Sequence, residues 1–220
     1  MRMRKKPWAE GELAYTSFFV KDPLFYTEDP GTLFKNRQPI AVELGCGKGV
    51  FLSKYALLHP EINFIAIDIK KDILAVTSRN LKNAYAAFEV SIDNLVLIHR
   101  NVEHIDRLFT GPAFADAVFI NFPNPWPKAR HQKRQLTHPR QLLLYRDILK
   151  DDAVLHFKTD DEPLFLSTSR NLAECGYTAV FTTKDYHSDV AAEFRYPPSE
   201  HETQFQSEGK PIYYIEAKKQ

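Results

Sequence analysis

Residues 39–49 read Pro39-Ile-Ala-Val-Glu43-Leu-Gly45-Cys-Gly47-Lys-Gly49, an apolar run that ends in three alternating glycines. The run has the length of a buried strand. The glycines mark a loop whose backbone can take positive φ and approach a ligand closely. Residues 50–59 follow with apolar positions at 51, 52, 55, 56 and 58, the spacing of a helix. Strand, glycine loop and helix together open a doubly wound α/β sheet, in which ligands sit at the carboxyl ends of the strands.

The alternation continues downstream. Strands are expected at 63–68, 95–98, 115–122 and 153–157, and helices at 70–88, 102–109, 138–149 and 162–174, the last closed by Gly176. Two late strands, 177–182 and 211–216, have no clear helix between them and are expected to close the sheet as an antiparallel hairpin. Near-continuous apolar strands mean burial on both faces. The expected fold is a doubly wound, seven-stranded, mostly parallel α/β sheet forming a single domain over 36–220. Residues 1–35 mix a basic opening with Trp8, Tyr15, Phe18, Phe19, Phe25 and Tyr26 and with Pro23, Pro30 and Gly31, without stable periodicity. They are expected to form an extended N-terminal arm, partly docked and partly mobile.

Composition bounds the function. A chain of 220 residues can bury about 70% of its unfolded surface and needs no disulfide or metal staple. Cys46 and Cys175 form no zinc or Cys-x-x-Cys pattern, and the eight histidines show no ligand spacing such as His-Glu-x-x-His, so no metal is expected. No apolar run approaches the roughly 20 residues that cross a bilayer, and nothing at the start reads as a signal peptide. The expected compartment is cytoplasmic, with no membrane contact. Lys and Arg number 29 against 28 Asp and Glu, so any contact with nucleic acid must come from a local patch.

The glycine loop fails the dinucleotide fingerprint, because the third glycine would fall at Val50, and it fails the P-loop because no Gly-Lys-Ser/Thr follows. What remains, Glu43-x-Gly45-x-Gly47-x-Gly49, resembles motif I of the class I methyltransferases that bind S-adenosylmethionine. That ligand has no phosphates and carries a sulfonium and an ammonium, so a carboxylate at Glu43 suits it. Asp68 ends the second strand, where an acid that accepts from ribose hydroxyls is expected. Asp68 is equally placed to cap the following helix, and both roles can hold. Asn101, after the third strand, either faces the adenine or its sugar or caps the turn that follows.

From Ala117 to Arg146 the chain has six Lys or Arg, at 128, 130, 133, 134, 140 and 146, and no Asp or Glu. That segregation is the electrostatic footprint of nucleic-acid binding. Pro123, Pro125 and Pro127 forbid a helix and fix an extended rim beside the glycine loop. Phe122 and Trp126 offer faces on which an extruded base can stack. The plainer alternative is a solvated basic helix start with Trp126 plugging the core.

Phe122-Pro-Asn-Pro-Trp-Pro-Lys-Ala-Arg-His-Gln-Lys-Arg134 resembles the signature of the bacterial tRNA (guanine-N7)-methyltransferases, Phe-x-Asp-Pro-Trp-x-Lys-x-Arg-His-x-Lys-Arg. The likeness continues at Phe157-Lys-Thr-Asp160 and at Thr203-Gln-Phe205-Gln206, followed by Gly209-Lys-Pro-Ile-Tyr. The resemblance implies a Rossmann-like class I methyltransferase fold. It also implies methyl transfer from S-adenosylmethionine, with S-adenosylhomocysteine as product, to N7 of a guanine in the tRNA variable loop, position 46 in tRNA numbering. Glu43, Gly45, Gly47, Asp68, Asn101 and Asn124 would then line the cofactor site. Lys128, Asp160, Thr203, Gln204, Phe205 and Gln206 would hold the guanosine, with Asn124 and Asp160 at the reacting centre. Arg130, His131, Gln132, Lys133, Arg134 and Gln135 would touch RNA. Asn124 and Gln206 depart from the pattern, standing where the family usually has Asp and Glu. Two alternatives follow: a weak or inactive tRNA-binding module of the same fold, or a methyltransferase for another RNA site. Whether the protein is a monomer or a homodimer is left open. Asp160 has a plainer alternative, capping the helix that begins near residue 162.

Overall fold

The computed structural model describes residues 6–22 and 25–219; the basic start of the arm and Pro23 lie outside the described residues. Seven strands form one sheet in the order β3-β2-β1-β4-β5-β7-β6. They are β1 (Ile40–Leu44), β2 (Asn63–Asp68), β3 (Leu95–His99), β4 (Ala115–Asn121), β5 (Leu149–Thr159), β6 (Tyr177–Thr183) and β7 (Tyr213–Lys219). β7 runs antiparallel to both neighbours, and the remaining pairings are parallel. The mostly parallel sheet with an antiparallel closure is the architecture that the alternating pattern predicts.

Period-two alternation along the strands sorts the core into two layers. Ile40, Val42, Leu44, Ile65, Ile67, Val118, Ile120, Leu155 and Phe157 belong to the layer that includes α4 (Ile105–Leu108), α5 (Pro139–Ile148) and α6 (Glu162–Glu174). Ala41, Phe64, Ala66, Leu95, Leu97 and Phe119 belong to the other, with α1 (Ala9–Ala14), α2 (Val50–Leu58) and α3 (Lys71–Ala86). Strand order reverses between β1 and β4, so the loops that leave these two strands flank the crevice where such sheets bind ligands. The glycine loop at 45–49 and the proline-rich basic segment at 122–135 are those loops. No described helix is long and apolar enough to cross a membrane.

The structure corrects four expectations. The arm is not extended throughout. Ala9–Ala14 is a helix, buried through Ala9 and Leu13 and tied to α3 by Glu12, which accepts from Arg79 and Lys82, each at 2.8 Å. Six residues are too few to show a helical period, and tertiary contact supplies the stability instead. The stretch between the last strands carries α7 (Tyr186–Asp189) and α8 (Glu200–Ser207), where the sequence pattern predicts no helix. α8 buries only Glu202, so it has no apolar stripe to betray it. The helix expected at 102–109 is a 3-10 turn, Val102–His104, followed by the single turn of α4. β5 starts four residues earlier than the apolar run at 153, through Lys150, Asp151 and Asp152, and Asp152 has φ 65°. Lys150 pairs with Asp116 at 2.9 Å across the β4–β5 irregularity.

Past Phe25 the arm closes against the turn after α4. Thr27 N–H donates to Leu108 O at 2.9 Å and Thr110 N–H to Thr27 O at 3.0 Å. A Cβ at Gly111 would stand 1.8 Å from the Glu28 carbonyl oxygen, so Gly111→Ala should overpack a backbone contact. At about 1–3 kcal/mol for overpacking and roughly 2–4 °C per kcal/mol, the expected loss in Tm is about 2–12 °C. Gly11, with nothing within 4 Å of its Cβ position, provides the contrast. Gly11→Ala should raise Tm by about 2 °C through helix propensity. Thermal denaturation of both variants checks the pair.

Candidate active site

The glycine loop is built by backbone geometry. Gly45, Gly47 and Gly49 have φ of 78°, 54° and 69°, a region in which side chains are strained. They serve different ends. A Cβ on Gly49 would meet Thr77 Cγ2 at 2.4 Å, whereas one on Gly47 would meet nothing within 4 Å. Gly49 therefore lets α2 close on α3, while Gly47 leaves open space over the loop. Thr77 Oγ1 donates to Gly47 O at 2.6 Å, and Gly45 N–H donates to Ile67 O at 2.8 Å. Asp68 completes the frame: Oδ2 accepts from Gly47 N–H at 3.1 Å and Oδ1 from Lys70 N–H at 2.8 Å. Asp68 thus closes a turn rather than capping α3, which starts at Lys71 without a side-chain cap. Burial raises its pKa, and the two N–H bonds oppose that rise.

Glu43 lies on the face of β1 that α2 covers. The parallel register pairs Glu43 with Phe119, so Asn121, two residues on, shares its face. Asn121 Nδ2 donates to Glu43 Oε1 at 3.0 Å, and Oε2 is buried with no partner. Burial pushes this carboxyl up to about 8; the Asn121 bond lowers it and the nearby Asp68 charge adds to the rise. No sequence pattern marks Asn121 as a site residue. Its place at the end of β4, two residues beyond the partner of Glu43, becomes readable only once the register is known.

Residues 123–127 form neither helix nor strand, but the rim is not extended throughout as expected: Phe122 and Trp126 take positive φ, 49° and 43°, so the chain turns at both. Asn124 Oδ1 accepts from Trp126 N–H at 3.1 Å, which fixes the turn and leaves its amide NH2 exposed. Beyond the rim, Ala129–Arg134 is a 3-10 helix on which Arg130, Gln132, Lys133 and Arg134 are exposed and His131 is half-buried. Lys128 is exposed at its start. Gln135 corrects an expectation: it is buried, and its Nε2 donates to Pro125 O at 2.7 Å. It braces the proline rim from beneath, with its amide turned away from solvent. Trp126 is half-buried and outside the core layers, with Arg134 at 5.3 Å from its ring centre, so it is no core plug. Phe122 faces His201 and Phe205 of α8, at 6.4 and 5.8 Å between ring centres, which commits it to packing.

Asn101 Oδ1 accepts from Glu103 N–H at 3.1 Å, so it caps the turn after β3. Asp160 follows β5 half-buried, and the capping role expected as its alternative belongs to Asp161, whose Oδ1 accepts from Leu164 N–H at 2.7 Å. Thr203, Gln204 and Gln206 are exposed on α8 and Phe205 is half-buried. The crevice thus gathers Glu43, Asp68 and the glycine loop, with the basic rim along one side. α8 reaches both: Lys48 pairs with Glu200 at 2.6 Å, and Phe122 packs on Phe205. Among the described residues no group of three His, Cys, Asp or Glu is placed to hold a metal.

A family model described as "Putative methyltransferase" matches residues 37–215. A tRNA (guanine-N(7)-)-methyltransferase of Clostridium perfringens (strain SM101 / Type A) is 43% identical over 220 residues, covering 100% of both chains. One from Acetivibrio thermocellus is 40% identical over 220 residues, again covering 100% of both. This chain belongs to the tRNA (guanine-N7)-methyltransferase family. Its fold is also that of the 16S rRNA methyltransferase KamB, with a TM-score of 0.60 at 13% identity over 82% of this chain and 87% of that one. A 16S rRNA (adenine(1408)-N(1))-methyltransferase of Catenulisporales acidiphilia, solved with its cosubstrate SAM, gives 0.53 at 20% identity over 82% and 85%.

In this family member, Glu43 makes the ligand-free fold sensitive to pH. Between its ordinary value of 4.5 and about 8, the folded chain keeps a proton that the unfolded chain has released. Stability must then fall as pH rises through that window. Glu43→Gln removes the titration, so its Tm should match the wild type at pH 5 and exceed it at pH 8. Equal differences at both pH values would show that the carboxyl is ionised in the ligand-free fold.

Proposed function

We propose that this protein transfers the methyl group of S-adenosylmethionine to N7 of a guanine in the tRNA variable loop, leaving S-adenosylhomocysteine. The observation that carries the cofactor reading is the buried, unpartnered oxygen of Glu43 beneath a glycine loop with open space at Gly47. A desolvated carboxylate needs a cation far more than an isolated hydrogen bond, and the sulfonium and ammonium of this cofactor supply one. Glu43 keeps its proton in the ligand-free fold, and a bound sulfonium or ammonium favours its ionised form, so that with Asp68 it then makes an anionic donor set that fits that ligand and repels a pyrophosphate. When bound, the cofactor supplies an electrophilic methyl group.

The chain's own residues need do little chemistry. Guanine N7 keeps an unprotonated lone pair at neutral pH, so no general base is required, and transfer rests on positioning and electrostatics. Glu43 and Asp68 hold the donor and exclude phosphates. Asp160 accepts from guanine N1–H and N2–H and favours the positive charge that the ring gains. Lys128 and the Thr203–Gln206 strip orient the nucleoside, while Arg130, Lys133 and Arg134 meet phosphates. Asn124 spends its oxygen on the Trp126 turn, and its free NH2 can donate to guanine O6. An acid at 124 would accept the same N–H bond, so the Asn changes orientation chemistry and leaves the turn intact.

Two measurements test this reading. Purified protein should incorporate methyl groups into unmodified tRNA, with 7-methylguanine as the product, and Asn124→Asp should stay within about tenfold of wild type. No incorporation at any pH would leave the inactive-module alternative standing, and a thousandfold gain in Asn124→Asp would show that the Asn had crippled the site. Affinity for tRNA should also fall steeply with salt, with a log–log slope of roughly −3 to −5 for four to six phosphate contacts. A flat dependence would point to a small-molecule acceptor.

A further inference from the structure

Helix α8 carries the strip assigned above to the guanosine, yet little of it is anchored. It is two turns long, exposes Glu200, His201, Thr203, Gln204 and Gln206, and buries Glu202. Both Glu202 oxygens lie 3.2 Å from Lys158 Nζ. The Lys158 and Glu202 side chains are only 4% and 2% exposed. The same ammonium stands 3.8 Å from the centre of the Tyr186 ring and 5.8 Å from that of Tyr196, and His187 Nε2 lies 3.1 Å from Glu202 Oε1. Lys158 belongs to β5, two residues before Asp160.

One buried ammonium therefore joins the strand end that bears Asp160 to the helix that bears Thr203–Gln206. The other ties are weaker in kind. Lys48–Glu200 has side chains 45% and 47% exposed, and exposed pairs contribute little. The Phe122–Phe205 contact is non-directional. A buried pair differs: removing one partner strands a charge, whereas replacing both with apolar groups of similar volume is often harmless to stability. What apolar groups cannot supply is a fixed distance and direction between the two elements.

We propose that Lys158 and Glu202 are positioning residues for the acceptor, setting the separation of Asp160 from the Thr203–Gln206 strip. The inference rests on the reading that those residues receive the guanosine. Tightness for tRNA then depends on the pair, and tightness for S-adenosylmethionine does not.

The test compares wild type with Lys158→Met, Glu202→Leu and the double variant. Thermal stability, amide hydrogen exchange over 200–207, S-adenosylmethionine affinity by calorimetry and methylation of unmodified tRNA are measured for each. Each single variant should lose stability and the double variant should recover most of it. All three should exchange 200–207 about tenfold faster and show KM for tRNA raised about tenfold, with cofactor affinity within about twofold of wild type. A shortage of folded protein lowers Vmax and leaves KM alone, so a raised KM in the stable double variant is the signature of positioning. The proposal is overturned if the double variant regains wild-type KM and exchange together with its stability. It is equally overturned if cofactor affinity falls in step with tRNA affinity. Should the double variant fail to fold, Lys158→Arg keeps the charge with a different geometry; a raised KM supports the proposal and an unchanged one overturns it. If the wild type methylates no tRNA, the functional reading fails in that arm alone, and the exchange data still decide whether the pair fixes α8.

Discussion

Glu43 is an ionisable group inside the sheet, with one oxygen bonded by Asn121 and the other facing no partner. Apolar residues occupy the rest of β1, and each of them is buried. A Leu or Val at 43 would satisfy the strand and remove the desolvation cost. Natural sequences keep such local violations mainly where function needs them. The surrounding arrangement follows from that constraint. The register places Asn121 beside Glu43, Gly47 keeps the space over the loop clear, and Asp68 holds the loop by its Gly47 N–H.

The two sides of the crevice carry opposite charge for separate physical reasons. On the donor side, Glu43 and Asp68 are desolvated and held by fixed hydrogen bonds. On the rim, Lys128, Arg130, Lys133 and Arg134 stay exposed to water and counterions, which a polyanion would displace. Under the proposed function, the buried carboxyls ionise against a cationic cofactor and the exposed cations meet a polyanion. The proline rim keeps the two apart. Its backbone is braced by Gln135, whose Nε2 donates to Pro125 O.

Most of the sheet is legible in the sequence because buried parallel strands leave continuous apolar runs. The helices of 9–16 residues show a period of their own, and helix α6 begins and ends where Glu162 and Gly176 place it. What stays hidden shares one trait: its stability lies in contacts distant in sequence. α1 is held by Arg79 and Lys82, and α8 by Lys158 and Phe122, partners that no local pattern announces. Gln135 is hidden for the opposite reason. It sits in a run of exposed basic residues, and nothing in that run distinguishes the one amide that turns inward. Resemblance names the motif residues but not their hydrogen bonds, because Asn101, Asn124 and Asp68 each spend an oxygen on a neighbouring backbone N–H.

That economy bears on Asn124 and Gln206. A carboxylate that must abstract a proton cannot be replaced by an amide, since an amide has no useful basicity at neutral pH. A carboxylate that only accepts one hydrogen bond and orients a partner can be. Position 124 is of the second kind, because its oxygen accepts from Trp126 N–H and shapes the rim. The nucleophile is a ring nitrogen that carries its own lone pair, so the proposed transfer calls for no base at 124. The positive charge that the proposed transfer leaves on the purine calls for an anion, and Asp160, freed from capping by Asp161, stands half-buried at the end of β5, where the proposal places that anion.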